Sequence, residues 1–449
     1  MGRSNTSRRG PLPAPEVRAD EDTLTRFAGT IPLIKYLSEV LELPLKLDLV
    51  VDYEGRKRPY GIHHILFAFV IGALVGVERL AHIEWLNGDA VLLKFLRLPS
   101  WPVRKVFSNA LAGLTQEAIE RLQALLTAMG LWALPDSSSM ILDFDSSSIV
   151  SFGEQEGAVF GYCGKGRNRR RHHPLVASVA ATRAVVHAEY RDGSAIDAKE
   201  AIAFFEETVR RVRARLAGCL PTIRADSGFW SIPMMNWLLK ENLPFVMAFP
   251  LRPSLKLMLH IAVWETLEDD PDIQLTSLTG EAVGLDSRVR VVAIRRFVHD
   301  ASAPPQGKEI LGDHDWRYQA LVTSLDWAPL DVWRFYNGRA DCERIFKVGK
   351  HALGMNWLVS HDLRANEAAF LLRMLAFNVD ILFQRHLEEK AREEQRPTMR
   401  LGLQARQHRF YNGVGRWLRE HGRWVLRVAR NARLEKLWAY HAPSLIVTS

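Results

Sequence analysis

Cysteine is scarce in this chain. There are three, Cys163, Cys219 and Cys342, an odd number scattered over 449 residues. That usage builds neither a disulfide framework nor a zinc site, and it points to a reducing compartment. Apolar runs are also short. The run Ile65 to Val77 covers thirteen residues, against the ~20 that a membrane-spanning helix needs. Gly72 and Gly76 inside it have the spacing of a close helix–helix contact, so a buried helix is expected and a membrane partner is not. Met1 to Gly10 is polar and basic without an apolar centre, and no secretory signal is expected there. Gly2 with Thr6 matches a myristoylation pattern short enough to arise by chance. No internal repeat is visible. Acidic charge is in deficit as well: 51 Asp and Glu against 59 Lys and Arg leave a net +8. With a pI near 9.4, that balance favours a polyanionic partner such as nucleic acid.

What is present is an ordinary globular composition, 47% hydrophobic and 24% charged, in a chain long enough for two or three domains. Residues 1–22 mix Arg, Pro, Ser and acidic residues without periodicity and read as a disordered arm. Residues 23–136 read as an all-α domain. Leu33, Leu37, Val40 and Leu41 recur at helical spacing, as do Ile119, Leu122, Leu125 and Leu126. Pro99-Ser100-Trp101-Pro102 interrupts the pattern. Ser100 can cap a helix carrying Arg104, Lys105 and Asn109, Gly113 turns the chain, and Thr115-Gln116-Glu117 opens another helix. Short helices about such a turn resemble a helix-turn-helix that would hold DNA ends, with a plain helical pair as the alternative.

Residues 137–250 turn to strands. Ile141 to Asp145 reads as a buried strand ending in Asp145, and Glu156 to Tyr162 as a second. Pro174 to Ala181 and Ala184 to Tyr190 continue the meander. Ala198 to Leu216 is an amphipathic helix, Pro221 to Ala225 a strand ending at Asp226, Ile232 to Lys240 a helix and Pro244 to Phe249 a strand. A meander followed by strands alternating with helices predicts an α/β core of RNase H-like type. Residues 251–328 hold strand-like pieces at Arg288 to Phe297 and Tyr318 to Ser324. Residues 329–390 return to the core with two helices, the second from Ala365 to Glu388. The region 391–449 reads as helical and basic, rich in arginine and carrying Trp417, Trp424 and Trp438, suited to DNA contact or dimerisation.

The chemistry gathers in the helix expected from Tyr336 to Lys350. At about 100° per residue, Tyr336, Arg339, Glu343, Lys347 and Lys350 share one face. A carboxylate with cations after it and an arginine and a tyrosine before it suits a site that binds metal and phosphate together. The alternative is a solvated face with an ion pair between Arg339 and Glu343.

The spacing has a further content. Tyr, two residues, Arg, three residues, Glu, six residues, Lys resembles the Y-R-E-K signature of one branch of cut-and-paste insertion-sequence transposases, and Tyr336, Arg339, Glu343 and Lys350 fill its four positions. Ile141-Leu142-Asp143-Phe144-Asp145-Ser146-Ser147-Ser148 looks like the family's first-aspartate motif, and Thr222 to Phe229, with Asp226, like its second. The resemblance runs from about residue 140 to about residue 390. It implies a DDE transposase with an RNase H-like catalytic domain, a β-rich insertion at 251–328, a homodimer in a synaptic complex, and a place in a prokaryotic cytoplasm, associated with the nucleoid.

Phosphoryl transfer on DNA calls for two divalent ions about 4 Å apart, and hard oxygen ligands suit Mg²⁺, with Mn²⁺ as the alternative. Asp145, Asp226 and Glu343 are the expected ligands and catalytic residues. Asp143 also faces that side of its strand, since it is two residues from Asp145. The resemblance favours Asp145, which small hydroxyl residues follow as they follow the family's catalytic aspartate. The basic segment Lys165, Arg167, Arg169, Arg170, Arg171 is expected to clamp phosphate, with a solvated turn as the alternative; His172 and His173 lack convergent ligands for zinc. The resemblance further implies strand nicking, hairpin formation at each element end with a flipped base, and strand transfer. In it Tyr336 and Arg339 hold phosphates near that base, Lys347 and Lys350 contact the cleaved strand, and Trp316 is the candidate to stack on the base, with Tyr318 as its alternative. The partners are double-stranded DNA at terminal inverted repeats and at the target. A nuclease without strand transfer, or a catalytically silent DNA-binding protein, are the rival readings.

Overall fold

The computed structural model describes residues 21–54, 61–132, 134, 139–163, 168–299, 308–310, 313–429 and 432–442, with backbone alone at 139, 308–310, 313–314, 340–343 and 432–434. Lys165 and Arg167 of the basic segment, and nearly all of the arm at 1–22, lie outside these residues.

A mixed sheet organises the fold. The strand Ser139–Ser146 lies between an antiparallel neighbour, Leu175–Val179, and a parallel one, Leu220–Ala225. Val185–Glu189 adds an antiparallel strand beyond the first, and Phe245–Ala248 a parallel strand beyond the second. Along Ser139–Ser146 the apolar Met140, Leu142 and Phe144 enter one core with Phe204, Phe205, Met234 and Phe245. Alternation then sends Asp143 and Asp145 to the opposite face. That first face is covered by helices Ala198–Arg215, held by an Asp197–Glu200 capping box, and Ile232–Lys240, capped by Ser231.

The sheet does not stop at Phe245–Ala248. Leu321, Val322 and Thr323 of the strand Asp313–Thr323 pair antiparallel with Ala248, Met247 and Val246. Arg290–Phe297, Asp270–Thr279 and Glu265–Leu267 follow in turn. The strands of 251–328 therefore extend the core sheet edge to edge.

The other end of the sheet is closed by side chains. Asn378 accepts from Val185 N at 2.8 Å and donates to Val185 O at 2.7 Å, and Thr127 Oγ1 donates to Val186 O at 2.7 Å. These bonds satisfy an edge that would otherwise invite pairing with another chain. Asn378 belongs to the 31-residue helix Leu363–Glu393 and Thr127 to the helix Gln116–Trp132. At Gly130 a Cβ would come within 2.3 Å of Val185 O, so only glycine permits this approach. The second helix of the expected helix-turn-helix is thus packed on one side against the edge strand and the long helix.

Apolar residues of the N-terminal helices, the long helix and the C-terminal region form one continuous cluster, from Phe27 to Ala442. The helix Ile62–Leu74 is, from Ile65 on, apolar on all sides and buried within it. Among the described residues no helix is long and apolar enough to cross a membrane.

Three expectations need correcting. Val159–Tyr162 is not a core strand; with Ile149–Val150 and Asn168–His172 it forms a separate three-stranded sheet, because its exposed aromatics offer no apolar face to the core. The C-terminal region is not wholly helical. Gly415–Glu420 and Arg423–Val428 make a hairpin turned at His421-Gly422, both at positive φ, and Leu24–Thr25 pairs with its first strand, so the N-terminal region is not all-α either. The stretch Tyr336 to Lys350 is two helices, Pro329–Asn337 and Ala340–Ala352, separated at Gly338 and Arg339.

Candidate functional site: carboxylates around a buried arginine

The register of the sheet brings two aspartates together. Phe144 pairs in parallel with Ala225, so the next residues, Asp145, still paired with Val176, and Asp226, just past its strand, stand at the same level. The helix Ala340–Ala352 packs on the strand Ser139–Ser146, and Arg339 sits at its N-terminus.

Arg339 is 5% exposed. Its Nη2 donates to Asp145 Oδ1 at 2.9 Å and to Phe144 O at 3.1 Å, and stands 3.9 Å from Asp226 Oδ2. Asp145 Oδ1 also accepts from Ser146 N at 3.0 Å, and Asp226 Oδ1 from Gly228 N at 2.9 Å. Asp145 is buried, whereas the side chain of Asp226 is 36% exposed, so the pair opens to solvent on the Asp226 side. One positive charge lies between two carboxylates, which would repel each other without it. Glu343 follows Arg339 by one turn on the same helix; its side chain is outside the described residues. Among the described residues no group of three metal-type ligands is assembled. Two hard carboxylates already converging on a cation are nonetheless the donor set that a divalent ion takes.

Asp143 is engaged elsewhere. Both its oxygens accept from Arg224, at 2.6 and 2.8 Å, and both side chains are nearly inaccessible. Arg224 Nη1 also donates to Phe335 O on the preceding helix. Sequence reasoning passed over Arg224, although a charged residue inside the apolar strand before Asp226 was its visible signal.

Lys350 lies three turns along the helix from Arg339. Its Nζ donates to Ser147 Oγ at 2.6 Å and Ser148 O at 3.1 Å. Burial lowers its pKa below the usual lysine range, and nearby Asp145 pulls it back up. Arg171 Nη1 donates to Ser148 Oγ at 2.7 Å, so Lys350 and Arg171 meet at one serine. Arg171 is buried, Arg169 is exposed, and the Arg170 guanidinium lies 5.5 Å over the Phe160 ring. Lys347 is exposed.

Other expected residues lie elsewhere. Tyr336 is buried at the end of the helix before Gly338, packed with Val246, Val292, Leu321 and Val332. Trp316 is half-buried, edge-on to Phe297 at 5.3 Å, with the Arg295 guanidinium 4.5 Å over its ring and 4.5 Å over that of Trp264. Tyr318 is buried on the same strand. Arg104 and Lys105 are exposed at the start of the helix Arg104–Ala112.

The chain as a whole falls in a recognised class. The family described as Transposase DDE domain group 1 matches residues 15–404, nearly the whole chain. The chain belongs to that family, and is a DDE transposase, of a family whose activity is to cut and transesterify DNA strands. No curated protein matches it. Among solved structures it is similar to the piggyBac transposase synaptic complex with hairpin DNA, at 12% identity and TM-score 0.47, over 87% of this chain and 81% of that one. It also matches the Drosophila P element transposase strand transfer complex, at 10% identity and TM-score 0.21, over 47% of this chain and 42% of that one.

Proposed function

We propose that this transposase excises and inserts an insertion sequence by nicking strands, forming hairpins at the element ends and transferring strands to a target, with Asp145, Asp226 and Glu343 as the catalytic carboxylates. The observation that carries the reading is the convergence of Asp145 and Asp226 on the single guanidinium of Arg339, beside the helix that bears Glu343. The three carboxylates would hold two Mg²⁺ or Mn²⁺ ions, which when bound activate the attacking oxygen and stabilise the leaving one.

The chain's own residues supply the rest. Ser146 N and Gly228 N fix the two aspartates. Lys350, held by Ser147 and Ser148, places a charge near Asp145 for the strand being cut. Lys347, Arg169, Arg104 and Lys105, which are exposed, and the half-buried Arg170 are cations suited to phosphate contacts. Two antiparallel strands beside the first-aspartate strand and two parallel ones on its other side support an RNase H-like core at 137–250 and 329–390. Residues 251–328 would then be the insertion, 23–136 the unit holding DNA ends, and 391–449 a surface for DNA or for the partner copy in a synaptic dimer.

The test uses DNA carrying the inverted repeats that flank the gene. The wild-type chain nicks it with Mg²⁺ and joins the freed ends to target DNA. Asp145→Ala, Asp226→Ala and Glu343→Ala bind it but do not nick. Near-wild-type cutting by any one variant removes that residue from the site. Cutting without joining makes the chain a nuclease.

A further inference from the structure

The small sheet beside the carboxylates exposes aromatic rings that packing does not explain. Phe152, Phe160 and Tyr162 are 81%, 68% and 61% exposed. Phe160 and Tyr162 are two apart on one strand and so share a face, and Phe160 pairs across the sheet with Arg170. Phe152, Phe160, Arg169 and Arg170 line one open hollow of about 310 Å³, which also holds Glu154. Two arginines against one carboxylate give the hollow a positive balance. Large exposed aromatics grouped this closely mark a binding surface, and rings interleaved with cations are the chemistry that takes unstacked bases and their phosphates.

The sheet is also tied to the carboxylate site. Its first strand starts at Ile149, four residues after Asp145, a span of at most roughly 14 Å. Ser148 links the two, accepting from Arg171 of the sheet and, through its carbonyl, from Lys350.

We infer that this face, Phe160 and Tyr162 with Arg170 and the adjoining Phe152, is a stacking platform for unpaired bases of single-stranded DNA leaving the cleavage site. The inference rests on the DNA-cutting function proposed above and adds a site to it. Single strand is favoured over duplex because the rings offer flat apolar faces, which paired and stacked bases cannot meet. Arg170 holds the phosphates, and sequence preference is weak because every base has a π-face.

The full chain is titrated into a single-stranded thymidine oligonucleotide carrying one 2-aminopurine, and in parallel into a blunt duplex of the same length. The wild-type chain quenches the 2-aminopurine fluorescence on binding. Phe160→Ala and Tyr162→Ala each weaken single-strand binding roughly five- to a hundredfold and lose quenching, while duplex affinity changes less than twofold. Phe160→Trp keeps both. These rings are exposed, so the variants fold. Unchanged single-strand affinity and quenching in the alanine variants overturn the platform. So does a change in sedimentation with single-strand binding intact, which makes the face a contact between copies of the chain. If the wild-type chain binds no DNA of either form, the proposed function falls and the platform with it. Duplex binding without stacking overturns the platform alone.

Discussion

Arg224 holds both carboxylate oxygens of Asp143, at 2.6 and 2.8 Å, in the centre of the sheet. Asp145, two residues further on the same strand, faces Arg339. Two aspartates of one strand face are thereby given different duties. The first ties strand Ser139–Ser146 to strand Leu220–Ala225 and, through Arg224, to Phe335 of the helix before Gly338. The second is left at the open end of the sheet.

The two should separate by measurement. Asp143→Ala strands a buried guanidinium, and loss of one partner of a buried pair costs about 3–5 kcal/mol. Urea unfolding should show that loss, while the folded fraction still nicks DNA. Asp145→Asn should unfold near the wild-type midpoint and not nick. Equal stability of Asp143→Ala and wild type would show that Arg224 finds another partner.

Gly338 is the second point of leverage. A Cβ there would lie 2.7 Å from Arg224 Nη1, which Asp143 and Phe335 already hold in place. The space for Arg224 fixes where the two helices separate. Gly338→Ala should cost roughly 1–3 kcal/mol, the range for overpacking. Its effect should shrink in an Arg224→Met, Asp143→Leu background, where the clash can relax. A double-mutant cycle by urea unfolding checks this, and full additivity of the changes would exclude the contact as the cause.

Much of this arrangement is legible in the sequence, because it rests on alternation. Met140, Leu142 and Phe144 against Asp143 and Asp145 declare a strand with one apolar face, and the apolar stretch before Asp226 declares its neighbour. What escapes is set by contacts between distant residues. Gly338 leaves room for Arg224, more than a hundred residues earlier, and no local pattern shows it. The strand Val159–Tyr162 has strand-like spacing, but only the fold decides which sheet it joins. Likewise Ile119, Leu122 and Leu126 mark an amphipathic helix, but not that its apolar side meets an edge strand closed by Asn378 and Thr127.

Acid should destabilise the chain through buried histidines. Burial lowers the pKa of His187 to about 3 and those of His173 and His441 to about 4. His187 is stacked on Phe204, with Nδ1 2.7 Å from Thr208 Oγ1. In the unfolded chain each titrates near 6.5. Below that pH the unfolded state binds more protons, so folding free energy falls as pH drops from about 6.5 towards 4, by up to about 1.4 kcal/mol per pH unit for each histidine. Urea midpoints across this window should show the slope, and His187→Gln should reduce it. A flat profile between pH 6.5 and 4.5 would mean that these rings are hydrated in solution.

The guanidinium of Arg339 makes a sharper demand, because it occupies the charge position that the proposed metal ions need. It lies 2.9 Å from Asp145 and 3.9 Å from Asp226 and cannot shed its proton. In the metal-free chain it offsets the repulsion between the carboxylates. Beside a bound divalent cation the same charge is repulsive. Arg339→Gln should therefore have opposite effects on two measured quantities. Without metal the variant should melt below wild type, since two carboxylates lose their counter-charge. Its dissociation constant for Mn²⁺ should fall about tenfold, equivalent to ~1.4 kcal/mol, so saturating Mn²⁺ should raise its melting temperature more than that of the wild type. Asp226→Asn should weaken Mn²⁺ binding and remove the difference. Calorimetric titration with Mn²⁺ alone checks this without any DNA. If Arg339→Gln binds Mn²⁺ no more tightly than wild type, the arginine does not compete with the ion. Its contacts to Asp145 and Phe144 O would then serve to aim the carboxylate, and it would stay in place when metal is bound.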